Sequence, residues 1–156
     1  MWMYSVAGVG RDYRRRIKVN AKDYLKQIRV IDNRIKDKET QKAELLEMMG
    51  SIKGMTYDGD IVQTSANGDQ MVNLMIRIEE ITNQILDDTR KYIDLKDKII
   101  GQIQSIGDWR IESLLFKRYV EYKSFELIAI EMGFNYDYTR ELHGAALACF
   151  SEIAEN

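Results

Sequence analysis

Apolar residues recur every three or four positions through the middle of the chain, over residues 69–106. This spacing puts them on one face of a helix, and from Ile78 onward it approaches the seven-residue repeat of a coiled coil. A helix of that length is a rod of roughly 55 Å, which predicts packing against another helix rather than burial in a globular core. The stripe consists of Met71, Leu74, Met75, Ile78, Ile81, Ile85, Tyr92, Leu95, Ile99, Ile103 and Ile106.

Residues 20–49 carry a second stripe with the same spacing. Lys38 and Lys42 interrupt it, so we expect weak burial there, with long side chains that carry their ammonium groups out to water. Asn20 is a favourable N-cap for this helix. The apolar members of the stripe are Tyr24, Ile28, Ile31, Ile35, Leu45, Leu46 and Met49.

The two stripes together predict a long antiparallel, coiled-coil-like helical hairpin over residues 20–106. Gly50 and Gly54 are expected to end its first helix. Residues 50–68 are the predicted connection, because they contain the turn signals Asp-Gly-Asp and Asn-Gly. Residues 1–19 show no periodicity and are rich in arginine, which predicts a flexible basic extension. The alternative for this extension is an arm that contacts phosphates.

The remaining segment, residues 108–154, has the pattern of a small bundle that contains a helix-turn-helix over about 124–148. Ala129 is small enough to lie where two helices cross, and Gly133, four residues later, can take the left-handed turn. Ser124 and Asn135 are placed to cap the two helices. Two further interpretations concern single residues. Asp108 is a good N-cap for the first helix of the bundle, and Trp109 is expected to anchor the core.

The C-terminal pattern resembles region 4 of bacterial sigma factors. The similarity includes the helix Leu-Leu-Phe-Lys-Arg-Tyr at residues 114–119, the Ser-x-x-x-Ile-Ala element at 124–129 and the Met-Gly pair at 132–133. Over residues 19–150, the chain resembles small phage and prophage proteins of Gram-positive bacteria, which are similar in part to ArpU-type transcriptional regulators. The resemblance implies double-stranded DNA as a partner, together with RNA polymerase.

The exposed N-terminal face of the second helix would enter the major groove in such a module. DNA contacts are therefore predicted for Asn135, Tyr136, Tyr138, Thr139, Arg140 and His143. Supporting phosphate contacts are predicted for Lys117, Arg118, Lys123 and Ser124. Alternatives stay open for three of these residues. Arg140 can pair with Asp137 or Glu141. Tyr138 can pack against Phe116 or Tyr119, and His143 can be a surface or half-buried structural residue.

Composition changes this picture in two ways. The chain has no proline, so no residue must break a helix, which favours an all-α fold. A single cysteine, Cys149, and a single histidine exclude a disulfide framework and a multi-histidine metal site. Because no phosphate-binding glycine loop and no catalytic triad can be found, we expect neither an enzyme nor a cofactor or metal.

Charge is distributed unevenly along the chain. Residues 1–53 carry 13 basic and 7 acidic residues, a net charge of +6, whereas residues 108–156 carry 5 and 9, a net charge of −4. A DNA-binding domain normally has a basic surface, because neutralised phosphates supply much of its affinity. An acidic C-terminal segment therefore indicates that the module binds DNA with RNA polymerase, binds as an oligomer, or binds protein instead.

These observations favour a phage-type transcriptional regulator that forms a homo-oligomer through its hairpin. One alternative is a non-enzymatic helical adaptor, and another is a small terminase-like component of DNA packaging. No run of 18 apolar residues is present, so no membrane partner is expected. The predicted location is the cytoplasm of a bacterial host cell.

Overall fold

The fold is all-α, which confirms the predicted fold class. The computed structural model describes the backbone of residues 7–55 and 64–154, and the side chains of residues 20–52 and 68–154. No strand occurs in these parts of the chain. In chain order, the elements are α1 (Ala7–Met55), α2 (Thr64–Gln104), α3 (Trp109–Leu115), a π-helical turn (Phe116–Val120), α4 (Phe125–Met132) and α5 (Tyr136–Ala154).

Helix α1 is longer at both ends than the sequence predicts. Its backbone begins at Ala7 rather than at Asn20, and it continues through Gly50 and Gly54 to Met55. The predicted start and end were wrong because an isolated glycine costs only about 1 kcal/mol inside a helix, whereas each residue added to an existing helix gains a hydrogen bond.

Helix α2 begins at Thr64, five residues earlier than predicted, and its helical backbone ends at Gln104. The Asn-Gly pair at 67–68 is therefore helical, and its interpretation as a turn was wrong. The other turn signal, at residues 57–60, lies outside the described residues. The closed hairpin and the boundaries 1–19, 20–106 and 108–154 stay predictions.

The chain divides into two compact units. One unit, the two-helix unit, is Ile31–Tyr92. Its core is formed by Leu45 of α1 with Leu74 and Ile81 of α2. Partly buried side chains packed against this core are Met49, Ile52, Ile78 and Ile85.

An ion pair interrupts the apolar contact between α1 and α2 in the two-helix unit. The Nζ atom of Lys38 donates to Oδ2 of Asp88 at 2.8 Å, and Nη1 of Arg34 lies 3.8 Å from Oδ1. Asp88 is buried, whereas the side chain of Lys38 is 20% exposed. The hydrogen bond from Lys38 holds the pKa of the Asp88 carboxyl below its usual value. Asp88 occupies the seven-residue gap in the apolar stripe between Ile85 and Tyr92.

The other unit, the five-helix unit, joins Met1–Val30 with Ile93–Asn156. Tyr24 of α1 stacks on Phe150 of α5, with ring centroids 6.1 Å apart, and its hydroxyl donates to Oε1 of Gln102 at 3.1 Å. The guanidinium of Arg29 lies 5.5 Å from the ring centroid of Tyr122. The first part of α1 is therefore part of the core that supports the C-terminal helices. Residues buried in this unit include Leu25, Ile28, Ile99, Ile103, Leu114, Leu115, Ile128 and Phe150.

Breaking the Lys38–Asp88 pair should destabilise the protein. We expect Lys38→Met to lower the free energy of unfolding by about 1–3 kcal/mol, because a buried carboxylate then keeps only the more distant charges of Arg34 and Lys91. Lys38→Met combined with Asp88→Leu should recover most of the loss, since apolar side chains then complete the stripe. Urea unfolding at neutral pH measures both effects.

The same pair gives a pH dependence with a defined sign. The folded pKa of Asp88 lies below its ordinary value of 3.8, so its stabilisation is complete above pH 3.8 and is lost as the pH falls through the folded pKa. The difference between Lys38→Met and the unmodified protein should therefore shrink in acid. A difference that stays constant into strong acid would contradict this account.

Candidate nucleic-acid interface

Helices α4 and α5 are joined by three residues, 133–135. Gly133 has φ 70° and ψ 29°, the left-handed conformation that the sequence predicts for it. The amide of the next residue, Phe134, donates to the carbonyl oxygen of Ala129 at 2.9 Å, which terminates α4. Leaving α4 in this conformation, the chain needs only two further residues before α5 begins.

Side chains define the starts of the short helices. Oγ of Ser124 accepts from the amide of Leu127 at 3.3 Å, and Oδ1 of Asn135 accepts from the amide of Tyr138 at 2.7 Å. Oδ1 of Asp108 accepts in the same way from the amide of Arg110 at 3.0 Å. These three caps, predicted for the C-terminal segment, are confirmed, and they fix the residue at which each helix begins, whereas the cap predicted at Asn20 was wrong because that residue lies within α1.

Four of the predicted DNA contacts lie at the surface, at the N-terminal end of α5. They are Asn135, Tyr136, Tyr138 and Arg140. The guanidinium of Arg140 lies 5.7 Å from the ring centroid of Tyr136. Among the side chains that the structure describes, no ion pair joins Arg140 to a neighbouring acid. The arginine is therefore held near the surface by an aromatic ring.

Tyr138 belongs to a group of aromatic rings. Its ring is edge-on to Phe134, with centroids 5.0 Å apart, and Phe134 is 6.3 Å from Trp109. The hydroxyl of Tyr138 accepts from Nη1 of Arg110 at 3.5 Å. Trp109 is 63% exposed, so its predicted role as a core anchor was wrong. Sequence spacing gave no signal for this group, because Trp109 and Phe134 are 25 positions apart and meet only through the tertiary fold.

Thr139 is oriented away from the surface. Its side chain is fully buried, and its hydroxyl donates to the carbonyl oxygen of Asn135 at 2.9 Å. Thr139 therefore has no free surface with which to contact DNA, which argues against the contact predicted for it. This intrahelical hydrogen bond satisfies the hydroxyl inside the core.

His143 is half-buried between α5, α4 and the π-helical turn. Its Nε2 atom is 2.9 Å from the hydroxyl of Tyr119, and its ring lies edge-on to Phe125 at a centroid distance of 5.0 Å. Burial lowers the pKa of His143 to about 4, and burial raises the pKa of Tyr119 to about 12. The imidazole is therefore neutral at neutral pH and adds no positive charge to the surface, as the alternative of a structural histidine implies.

The predicted phosphate-contacting cations are engaged within the protein. Lys117 and Lys123 both donate to the carboxylate of Glu131, and Lys123 also pairs with Glu121 at 2.9 Å. Nη1 of Arg118 donates to the carbonyl oxygen of Lys123 at 2.7 Å. Ser124 uses its hydroxyl as a cap. The structure therefore brings these predicted residues together, but with protein partners.

Two findings concern other kinds of site. In the described parts of the chain, no helix is both long and apolar enough to cross a membrane. Over the same residues, no three His, Cys, Asp or Glu side chains are grouped so that they could hold a metal ion.

No protein-family model matches the chain, and no curated protein or solved structure matches it either. The resemblance to sigma region 4 and to ArpU-type regulators therefore stays a prediction that depends on the motifs in the sequence.

A matched pair of glycines tests the connection between α4 and α5. Gly133→Ala should lower the free energy of unfolding by about 1–2 kcal/mol, because a side chain disfavours the left-handed conformation. Gly144→Ala, in the middle of α5 and with open space around the new methyl group, should raise it by up to about 1 kcal/mol. Chemical denaturation of both variants is the measurement. Equal effects would mean that the left-handed turn is not a stability determinant.

Protonation of His143 should destabilise the protein. Its ordinary pKa is 6.5 and its folded pKa is about 4, so the unfolded chain binds the extra proton between these values. Stability should be complete above pH 6.5 and decline as the pH falls toward 4. Thermal unfolding across this interval should give a flatter pH dependence for His143→Gln than for the unmodified protein. Identical slopes would remove His143 as the cause.

Proposed function

We propose that the protein is a DNA-binding transcriptional regulator of the phage or prophage type that uses α4 and α5 as a sigma region 4-like helix-turn-helix. The observation that carries this proposal is the capped connection at Gly133, followed by a helix whose first turns expose Tyr136, Tyr138 and Arg140. In helix-turn-helix proteins, the N-terminal residues of the second helix contact base edges in the major groove.

The exposed side chains suit different parts of a duplex. The guanidinium of Arg140 can donate two hydrogen bonds to the edge of a guanine. The hydroxyls of Tyr136 and Tyr138 and the amide of Asn135 can reach phosphate or sugar oxygens at the margins of the groove. The contact predicted for Thr139 is not retained, because that side chain is buried.

Acidic residues on the same helix limit the affinity for DNA. Asp137 and Glu141 are exposed and lie four residues apart, which puts them side by side on the outer face of α5. Each would repel nearby phosphates. We therefore propose that the module acts together with RNA polymerase, whose own contacts to DNA would supply the missing affinity.

Oligomerisation is the second part of the proposal. Several large apolar side chains of α2 are exposed in the two-helix unit, and a second copy of the chain would remove them from water. They are Val72, Met75, Ile76 and Leu86. A homo-oligomer would also bring two α5 helices to one DNA molecule, so that two weak contacts act together.

A helical adaptor is the alternative function, and exposed apolar residues of the five-helix unit favour it. Ile130 is 77% exposed, and Leu127 and Trp109 are exposed as well. Affinity purification from a bacterial lysate, with and without nuclease, separates the two functions. RNA polymerase subunits that remain after nuclease treatment would support the regulator, whereas phage structural or replication proteins without polymerase or DNA would support the adaptor.

Selection from a random duplex library, with and without RNA polymerase, tests the regulator directly. We expect enrichment of one sequence element, and Arg140→Ala should weaken binding to it by about 1–3 kcal/mol. Arg77→Ala removes an exposed arginine from α2 and should leave the affinity unchanged. No enrichment under either condition would overturn the function, whereas enrichment that Arg140→Ala does not affect would remove only this residue from the interface.

A further inference from the structure

Two lysines of the five-helix unit bind one carboxylate. The Nζ atom of Lys123 lies 2.8 Å from both Oε1 and Oε2 of Glu131, and Nζ of Lys117 donates to Oε2 as well. A second carboxylate, that of Glu121, contacts Lys123 at 2.9 Å. Two ammonium groups and two carboxylates sum to zero charge, so the cluster as a whole does not attract a polyanion.

The backbone holds the two lysines together. Lys117 belongs to the π-helical turn and Lys123 to the connection before α4, and the amide of Lys123 donates to the carbonyl oxygen of Lys117 at 2.9 Å. Arg118 fixes the same connection, because its guanidinium donates to the carbonyl oxygen of Lys123 and lies 4.5 Å from the ring centroid of Phe125. The backbone at the two lysines is therefore held together by contacts that do not involve Glu131, which comes from the last turn of α4.

The cluster is charged and open to solvent. About a quarter of each lysine side chain is exposed, as is 29% of the Glu131 side chain. Hydrogen bonds from the two lysines lower the pKa of Glu131, and hydrogen bonds to Glu131 and Glu121 raise the pKa of Lys123. The cluster therefore combines ion pairing with access to water, and a water-exposed ion pair of this kind is weak enough for another anion to replace.

We propose that Lys117 and Lys123 form a binding site for a backbone phosphate of nucleic acid, and that Glu131 occupies this site in the free protein. Two oxygens of a phosphodiester can take the hydrogen bonds that the two carboxylate oxygens accept now, and lysine is a common phosphate ligand. This inference depends on the proposed function. It adds that the Glu131 carboxylate competes with a phosphate for the two lysines. Occupancy by Glu131 accounts for a DNA-binding module with so little free positive charge.

The test compares Glu131→Gln with Glu126→Gln. Both changes remove one negative charge from an exposed position of α4, but the Glu126 carboxylate is held by its own helical turn and by Ser124. Binding to a random-sequence duplex is measured over a range of salt concentrations, since phosphate contacts do not depend on sequence. Retention on immobilised heparin, a polyanion without bases, is measured in parallel.

Glu131→Gln should bind the duplex more tightly than the unmodified protein and with a steeper salt dependence. One or two additional phosphate contacts raise the slope by about 0.9 each. Lowering the salt from about 200 mM to about 50 mM should therefore increase its affinity about 3- to 12-fold more than that of the unmodified protein. Adding Lys123→Met to Glu131→Gln should cancel most of this gain, and Glu126→Gln should behave like the unmodified protein.

The possible outcomes test the anion site and the proposed DNA-binding function separately. Stronger retention of Glu131→Gln on heparin together with tighter duplex binding supports both. Stronger heparin retention without duplex binding keeps the anion site and overturns nucleic acid as its ligand. Unchanged heparin retention and an unchanged salt slope overturn the site, and the proposed function then depends on the selection experiment alone. Circular dichroism of each variant verifies that the helices are intact.

Discussion

The burial of Phe150 against Tyr24 is the contact on which the C-terminal helices depend. Helix α5 has 19 residues, and its two ends lie in different environments. The later turns supply Ala146, Leu147 and Phe150 to the core, whereas the first turns expose polar and aromatic side chains. Because α1 and α2 contribute to the same core, the exposed end of α5 is oriented by residues far away in the sequence. A surface for DNA on α5 would therefore be rigid rather than carried on a loop.

Charge in residues 108–154 is organised mainly by pairing within the protein. Asp108 pairs with Arg110, and Glu131 pairs with two lysines, so most of the cations that could meet a phosphate already have partners. Among the described side chains of residues 108–154, Arg140 differs from these cations, because its neighbour is the aromatic ring of Tyr136 and not a carboxylate. The net charge of this segment is therefore a poor guide to its affinity for phosphate. That affinity depends on how strongly the internal carboxylates hold the lysines.

Local chemistry made the caps and the turn predictable. Ser124, Asn135 and Gly133 act within three or four residues of their own positions, so spacing alone locates them. Each apolar stripe is also interrupted by polar residues, and the sequence alone does not explain why. Lys38 and the buried Asp88 fill matching gaps in α1 and α2 and so satisfy each other, a pairing that neither stripe reveals by itself.

Other features depend on tertiary contacts and could not be predicted. The π-helical turn has no sequence signature, yet it sets the positions of Lys117 and Arg118. Trp109 is large and apolar, which favoured a core position, but α3 turns it toward the surface beside Phe134. The sequence places Thr139 among exposed residues in the first turn of α5, and only the direction of its side chain, which the structure supplies, shows that it belongs to the core.

The hydrogen bond between Tyr24 and Gln102 joins residues 78 positions apart. Contacts among α3, α4 and α5, by contrast, connect neighbours along the chain through short connections. Loop-closure entropy therefore opposes contacts such as Tyr24–Gln102 more strongly than contacts among α3, α4 and α5. The C-terminal helices can form early, but the core around Phe150 is complete only after the distant segments meet. We therefore expect the search for these distant contacts to limit the folding rate of this unit, without a slow phase from proline isomerisation, because the sequence has no proline.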